Sequence, residues 1–328
     1  MVAYDEIAGA NNQRRVKQYR AGFAITAMLL LAIAVTLPFS LASMVDDVLG
    51  PSTGMVFPLM KHPRASMAPT FSRLHLAVTS IDETRLTATV RVSGHNTCSS
   101  CAWTDRILFV SLASDDLDAE GMPPSTIVAL PPSAEGVAKL VELPLRGFPI
   151  RYPFDRYDMV VAVALQRVYP DGRIETLSPE QTPRHLSLSI QELLPSLLMS
   201  APEPVDPESL RDPEDPIQYA GAYHVSFKRP RYLRVLAVML VLLIASAAAY
   251  SVFLRPLADL IVNSGAVVLG IWGIRTILTP GNLYYLTAVD LSLSIIILFL
   301  LGGLTVKALI HAHDKGELRI LRRPPRAR

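Results

Sequence analysis

The sequence predicts a mixed membrane protein: an external antiparallel β-sandwich carried by four transmembrane helices, one N-terminal and three C-terminal. Three observations predict it. Of the 328 residues, 50% are hydrophobic and only 18% are charged, which is too apolar for a water-soluble chain of this length. The apolar residues are gathered in long uncharged or nearly uncharged runs near the two ends. Between those runs, short segments alternate apolar and polar residues with the period of a β-strand.

Residues 1–20 form a basic N-terminus in which Arg14, Arg15, Lys17 and Arg20 precede the first run, AGFAITAMLLLAIAVTLPFSLAS at 21–43. That run carries no charge and is long enough to cross a hydrocarbon core of about 30 Å at ~1.5 Å per residue. The basic flank holds this end in the cytoplasm. A cleaved signal peptide competes, because Ser40-Leu41-Ala42 is a tolerable small-x-small site. The length of the run favours an uncleaved anchor.

Residues 44–200 are predicted to form the external domain. Strand patterns fall at 74–81, 86–94, 106–114, 125–131, 138–145, 159–168, 173–178 and 185–191. Tyr169-Pro170-Asp171-Gly172 reads as a hairpin turn. About eight strands with frequent turns indicate a sandwich. No Rossmann or phosphate-loop glycine pattern and no internal repeat is present.

Residues 201–231 read as an acidic, proline-rich linker followed by a final strand. Pro202, Pro204, Pro207, Pro213 and Pro216 alternate with Glu203, Asp206, Glu208, Asp212, Glu214 and Asp215, and little is available to bury. GAYHVSFKRPRY then runs toward the membrane. A three-helix domain over 232–310 follows, with spans at 233–254, 257–278 and 283–310. Arg255-Pro256 and Pro280-Gly281-Asn282 make the two tight turns.

The tail, 311–328, contains Lys315, Arg319, Arg322, Arg323, Arg326 and Arg328 and belongs in the cytoplasm. Four crossings then place both termini inside and the β-domain outside a plasma (inner) membrane. Lys228, Arg229, Arg231 and Arg234 oppose this by lying on the external side. Long segments translocate largely regardless of charge, and such a cluster can meet anionic lipid headgroups.

Several residues invite chemistry. Cys98 and Cys101, in C-S-S-C, are expected to form a disulfide across a turn outside the reducing cytosol. A redox pair would sit at a helix start, whereas Gly94-His95-Asn96 precedes this one. His95 with both thiols supplies three zinc ligands where a closed site needs four. Asp105, Asp155 and Asp158 are acid/base candidates, but turn aspartates are commoner. His311 and His313 fit the membrane interface at the end of the last span. No hydrolase, zinc-protease or kinase motif appears, so no catalytic residue, metal or cofactor is assigned. A net charge of +2 gives no reason to expect nucleic acid.

Arg275 and Asp290 are two charges inside the last two apolar runs. Counted from the turn at 280–282, both lie about 8–12 Å in from the external surface at ~1.5 Å per residue. An ion pair locking two helices is the economical reading, and an ion or proton path is the functional one. Gly265, Ala266, Gly270 and Gly273 permit close helix packing there.

The order of one anchor, a β-rich domain with GFPIRYPFDRYD, and spans carrying GIWGIRTILTP and YYLTAVDLSL resembles a bacterial membrane family defined by domain of unknown function 4436. The resemblance implies architecture alone and brings no activity. Tyr152-Pro153-Phe154-Asp155-Arg156-Tyr157 also looks like the FPFD stretch in the loop of pentameric ligand-gated channels that rests on the membrane domain. Two physical readings of this motif stand side by side. The rings of Tyr152, Phe154 and Tyr157 lie at the membrane interface, with Asp155 and Arg156 meeting polar groups; or the rings plug the sandwich and Asp155 caps the turn. The cysteine spacing, the extra N-terminal span and the lack of a regularly polar pore face argue against shared ancestry with such channels.

The functional expectation is a binding, scaffold or accessory subunit of a cell-envelope complex, with other membrane or envelope proteins as partners. A transport or channel component using Arg275 and Asp290 is one alternative. An envelope enzyme with acid or nucleophile side chains gathered in a pocket of the sandwich is another.

Overall fold

Strand β8, Arg156–Val168, organises the β-rich unit because it is buried on both faces. Tyr157, Met159, Val161, Val163 and Leu165 point into the main core, while Ala162 and Ala164 pack with Leu108, Val110, Tyr219 and Ala222 on the other side. This is why MVVAVAL reads as a continuous apolar run instead of an alternating one. The computed structural model describes residues 23–24, 26–39, 41–42, 45, 54–60, 72–98, 101–111, 125–132, 136–207, 218–278 and 286–314. The chain divides into two units, Asp47–Pro230, and Met1–Asp46 with Arg231–Arg328.

The first run of the sequence contributes α1, an apolar helix over Thr26–Phe39. The β-unit then contains β1 (Val56–Met60), β2 (Ser72–Asp82), β3 (Thr87–Asn96), β4 (Thr104–Ser111), β5 (Ser125–Leu130), β6 (Val137–Pro144), β7 (Arg146–Gly147) and β8. After these come β9 (Ile174–Thr176), a short α2 (Thr182–His185), β10 (Leu186–Glu192), β11 (Leu198–Met199), β12 (Glu203–Val205) and β13 (Gly221–Lys228).

These strands form a five-stranded sheet in the order β1-β10-β2-β3-β6. The second, eight-stranded sheet runs β11-β13-β8-β4-β5, with β12 on β13 and β7 and β9 on β8. Inward side chains of both sheets make one core, including Leu76, Val90, Phe109, Leu130, Leu188 and Phe227. Two stacked sheets around a shared apolar layer are a β-sandwich.

Three details differ from the sequence expectation. The sheets are not wholly antiparallel, because β10 pairs with β2 in parallel register. A parallel pair needs a long connection, and here the chain builds β4, β5, β8 and β9 between the two partners. β1 went unread because Pro58 interrupts VFPLM; proline fits at this edge, where the register also shifts between Pro58 and Met60. The start of the acidic linker is a strand: Glu203–Val205 pairs with β13, and Pro204 is tolerated because β12 lies at an edge. Most of the remaining linker falls outside the described residues.

The second unit holds α3 (Arg231–Leu254), α4 (Leu257–Leu278) and α5 (Ala288–Asp314). All three are long and apolar enough to cross a membrane. The described part of α1 is shorter than a span, and the ends of 21–43 lie largely outside the described residues. Phe253 of α3 stacks against Phe299 of α5 with centroids 6.0 Å apart. The last of these helices begins at Ala288 instead of residue 283.

Candidate functional site

The outward face of the five-stranded sheet carries an open depression of about 560 Å³, lined in part by Arg73, His75, Ser93, His95, Ser187 and Ser189. Its floor follows from strand alternation. Leu74 and Leu76 point into the core, so Arg73 and His75 point out; Leu188 and Ile190 do the same for Ser187, Ser189 and Gln191. The parallel register sets Ser187 beside Arg73 and Ser189 beside His75, while β3 sets His95 across from Arg73. A Cβ on Gly94 would fall 2.4 Å from the Arg73 carbonyl oxygen, so a side chain there would push β3 off β2. No described lining residue is a carboxylate.

A directed hydrogen-bond chain runs along this face. The Gln191 amide nitrogen donates to the Gly54 carbonyl at 2.8 Å, which turns its Oε1 toward His75 Nε2 at 3.0 Å. Nε2 therefore carries the ring proton. Nδ1 is then the acceptor for the Ser189 hydroxyl at 2.9 Å. Hydroxyl, imidazole and amide stand in the order nucleophile, base, orienting group. The sequence reading missed these residues, although alternation in RLHLAV and HLSLSIQ already put them on polar faces.

The other candidate residues are placed as follows. Cys98 and Cys101 are bonded to each other, with Cα atoms 5.6 Å apart, so neither thiol is available with His95 as a zinc ligand. Asn96 holds this loop to the core, accepting from the Cys98 amide at 2.9 Å and donating to Asp105 at 3.3 Å. Ser72 donates to Asp105 at 2.7 Å, and Arg167 lies 3.7 Å away while covering the Trp103 ring at 4.8 Å. Burial pushes the Asp105 carboxyl up from its ordinary 3.8, against the Ser72 hydroxyl and the Arg167 charge.

Asp105 forms no acid/base pair with Asp158. Its partner Arg167 lies along β8 from Asp158, ~30 Å away at ~3.3 Å per residue. Asp158 instead meets Arg156 at 2.8 Å and His224 at 3.2 Å.

Asp155 belongs to a buried cluster that answers the two readings of YPFDRYD. Tyr152, Asp155 and Tyr157 are buried, whereas Phe154 and Arg156 are exposed. The interfacial reading therefore fails for Tyr152 and Tyr157, whose rings plug the sandwich. Arg229 Nε donates to Asp155 at 3.0 and 3.2 Å, its Nη2 donates to Glu83, and its guanidinium covers the Tyr152 ring at 4.9 Å. Asp82 orders the turn carrying Glu83 by accepting from the amides of Thr84 and Arg85. Burial alone would lower the Arg229 pKa; the two carboxylates outweigh it and hold the group charged above its ordinary value. Burial also pushes the Tyr157 phenol up, with Asp155 and Glu83 adding to the effect. Arg229 is 2% exposed and cannot serve lipid headgroups. Lys228 and Arg231 are exposed, and Arg234 is half-buried.

Arg275 Nε lies 2.7 Å from Asp290 Oδ1. Both sit in terminal helical turns, Arg275 in the last of α4 and Asp290 in the first of α5. Asp290 Oδ2 accepts from the Thr287 amide and hydroxyl at 3.0 Å, and Thr287 Oγ1 accepts from the Asp290 amide at 3.2 Å. That reciprocal arrangement is a capping box and starts α5 at Ala288. The hydroxyls of Ser264, Thr276, Ser292, Ser294 and Thr305 donate to carbonyls of their own helices. They leave no chain of free hydroxyls along the described parts of α4 and α5.

No family model matches this chain, and no curated protein is significantly similar to it. The geometry alone carries the functional reading.

Proposed function

We propose that the protein is a binding or accessory subunit of a cell-envelope complex in a bacterial plasma membrane. In this reading α1 and the three long helices make four crossings, both termini lie in the cytoplasm, and the sandwich receives its partner outside. The observation that carries it is the open depression between β10, β2, β3 and β6. It gathers polar and cationic side chains on an outward face, while the buried Asp105, Asp155 and Arg229 are paired within the sandwich. The Arg275–Asp290 pair supports the binding reading over transport, because both Asp290 oxygens are engaged in the ion pair and the helix cap.

Histidine footprinting tests this reading. His95 lines the depression, whereas His224 lies in the other sheet against Asp158. With diethyl pyrocarbonate, His95 reacts several-fold more slowly in native membranes than in purified protein, and His224 reacts equally in both. Equal His95 rates would remove the support for a partner on this face.

The Ser189–His75–Gln191 chain favours one second reading, an esterase. Ser189 Oγ would attack an ester carbonyl carbon while its proton passes to His75 Nδ1. His75 would return that proton to the departing alkoxide, and water would then release the acid from Ser189. Covalent labelling by a fluorophosphonate that disappears in Ser189→Ala supports the esterase; an unlabelled parent protein excludes it.

A further inference from the structure

The loop 146–156 presents a surface distinct from the depression. It turns tightly: the amides of Arg151, Tyr152 and Phe154 donate to the carbonyls of Phe148, Pro149 and Arg151 at 3.1, 3.1 and 2.7 Å. Its buried side chains, Tyr152 and Asp155, are clamped by Arg229. A Cβ on Gly147 would meet the Tyr157 ring at 2.4 Å, so the loop lies hard against β8. With its inner side held, its outer side shows Phe148, Ile150 and Phe154 at 60%, 60% and 54% exposure. Three large apolar side chains on one pinned loop are an interaction surface, not a fraying segment.

The surroundings identify the partner. Arg146, Arg151 and Arg156 are exposed on the same loop, and Arg151 lies over the Phe148 ring at 5.1 Å. The one acid of the loop, Asp155, is buried against Arg229, and Asp158 beyond it is ion-paired with Arg156 at 2.8 Å, so Arg146 and Arg151 give the exposed side its positive charge. Arg156 is paired in register with Lys228, also exposed, and at most ~11 Å of extended chain separates Lys228 from the start of α3 at Arg231. Aromatic and aliphatic tips ringed by arginine, next to the point where the chain becomes a membrane-length helix, complement an anionic bilayer surface.

We propose that this loop docks on the lipid surface, with Phe148, Ile150 and Phe154 in the headgroup–acyl boundary and Arg146 and Arg151 among anionic headgroups. The lipid-facing cluster thereby extends beyond Lys228 and Arg231 to a loop of the sandwich itself.

The native cysteines are bonded to each other, so a single new cysteine can be labelled without reductant. The full chain is reconstituted in phosphatidylcholine vesicles with and without phosphatidylglycerol, carrying an NBD fluorophore at Phe154→Cys or Phe148→Cys. Asp171→Cys serves as control, beyond the other end of the 13-residue β8 and ~40 Å from Arg156 at ~3.3 Å per residue. Nitroxide lipids should remove about half of the emission at 154 and 148, because side chains of this kind insert ~5–10 Å into the boundary. They should leave 171 unchanged. Quenching should deepen with phosphatidylglycerol, and Arg146→Glu with Arg151→Glu should abolish that increment. If 154 and 148 are quenched no more than 171, the loop is covered by protein or lies in water, and the proposal is wrong. Quenching that ignores phosphatidylglycerol overturns the anionic part.

Discussion

Replacing Arg229 with methionine is the most informative change to the sandwich, because it removes one cation from a site that holds two acids. Arg229, Asp155 and Glu83 side chains are 1%, 0% and 15% exposed. Breaking a buried pair by deleting one partner costs about 3–5 kcal/mol, because the remaining charge is stranded away from water. Here two carboxylates are stranded, although the partial exposure of Glu83 lets it rehydrate. For a domain of this size about 3–5 kcal/mol corresponds to a fall in melting temperature of roughly 6–20 °C. Glu83→Gln should behave differently. It leaves a one-to-one Arg229–Asp155 pair and should change stability by less than ~1 kcal/mol. Arg229→Met with Asp155→Asn should recover part of the loss, since it strands one charge fewer. Thermal unfolding of the four proteins in one detergent, followed by intrinsic fluorescence, makes the comparison. If Arg229→Met melts within ~2 °C of the parent, which corresponds to less than ~1 kcal/mol, the buried-charge reasoning is wrong.

Other outcomes follow from the same geometry. Asp105 has a native pKa raised by burial above 3.8, so the folded state binds this proton more tightly than the unfolded chain does. Its contribution is fully present below pH 3.8 and is lost as pH rises through the native value. Asp105→Asn should flatten that part of the stability–pH curve, and an unchanged slope would reject the assignment. Replacing both Cys98 and Cys101 with serine should cost about 2 kcal/mol by the chain-entropy relation for so short a loop. A melting temperature equal to that of the oxidised parent would show the bridge to be idle. Arg275→Leu removes the ion pair alone, whereas Asp290→Ala also removes the helix cap, worth ~1 kcal/mol more, so it should lower the melting temperature further. Equal melting shifts for the two would contradict the double role of Asp290.

Local patterns in the sequence carried the elements whose causes are local. Alternation placed β2, β3 and β10, and uncharged length placed α3, α4 and α5. The T-A-V-D capping box at Thr287–Asp290 was also local and legible, but starting the run at 283 hid it. What escaped was set by distant pairing. His75 meets Ser189 across 114 residues, through a parallel strand pair that no periodicity announces. Asp155 meets Arg229 across 74 residues, and Glu83 meets it across 146. The composition of YPFDRYD showed an unusual stretch; only the cation at the end of β13 explains why its rings divide between core and surface.

The central claim is that the outward face of the five-stranded sheet is where a partner binds. A photo-crosslinking amino acid at Ala138, within the depression, against the same residue at Ile174, exposed on β9 of the other sheet, tests it most directly. In intact cells the account predicts a discrete, reproducible adduct from position 138 that Ser93→Trp abolishes, and none from position 174. Identical crosslinking from both positions, or none from 138 in correctly inserted protein, would contradict it.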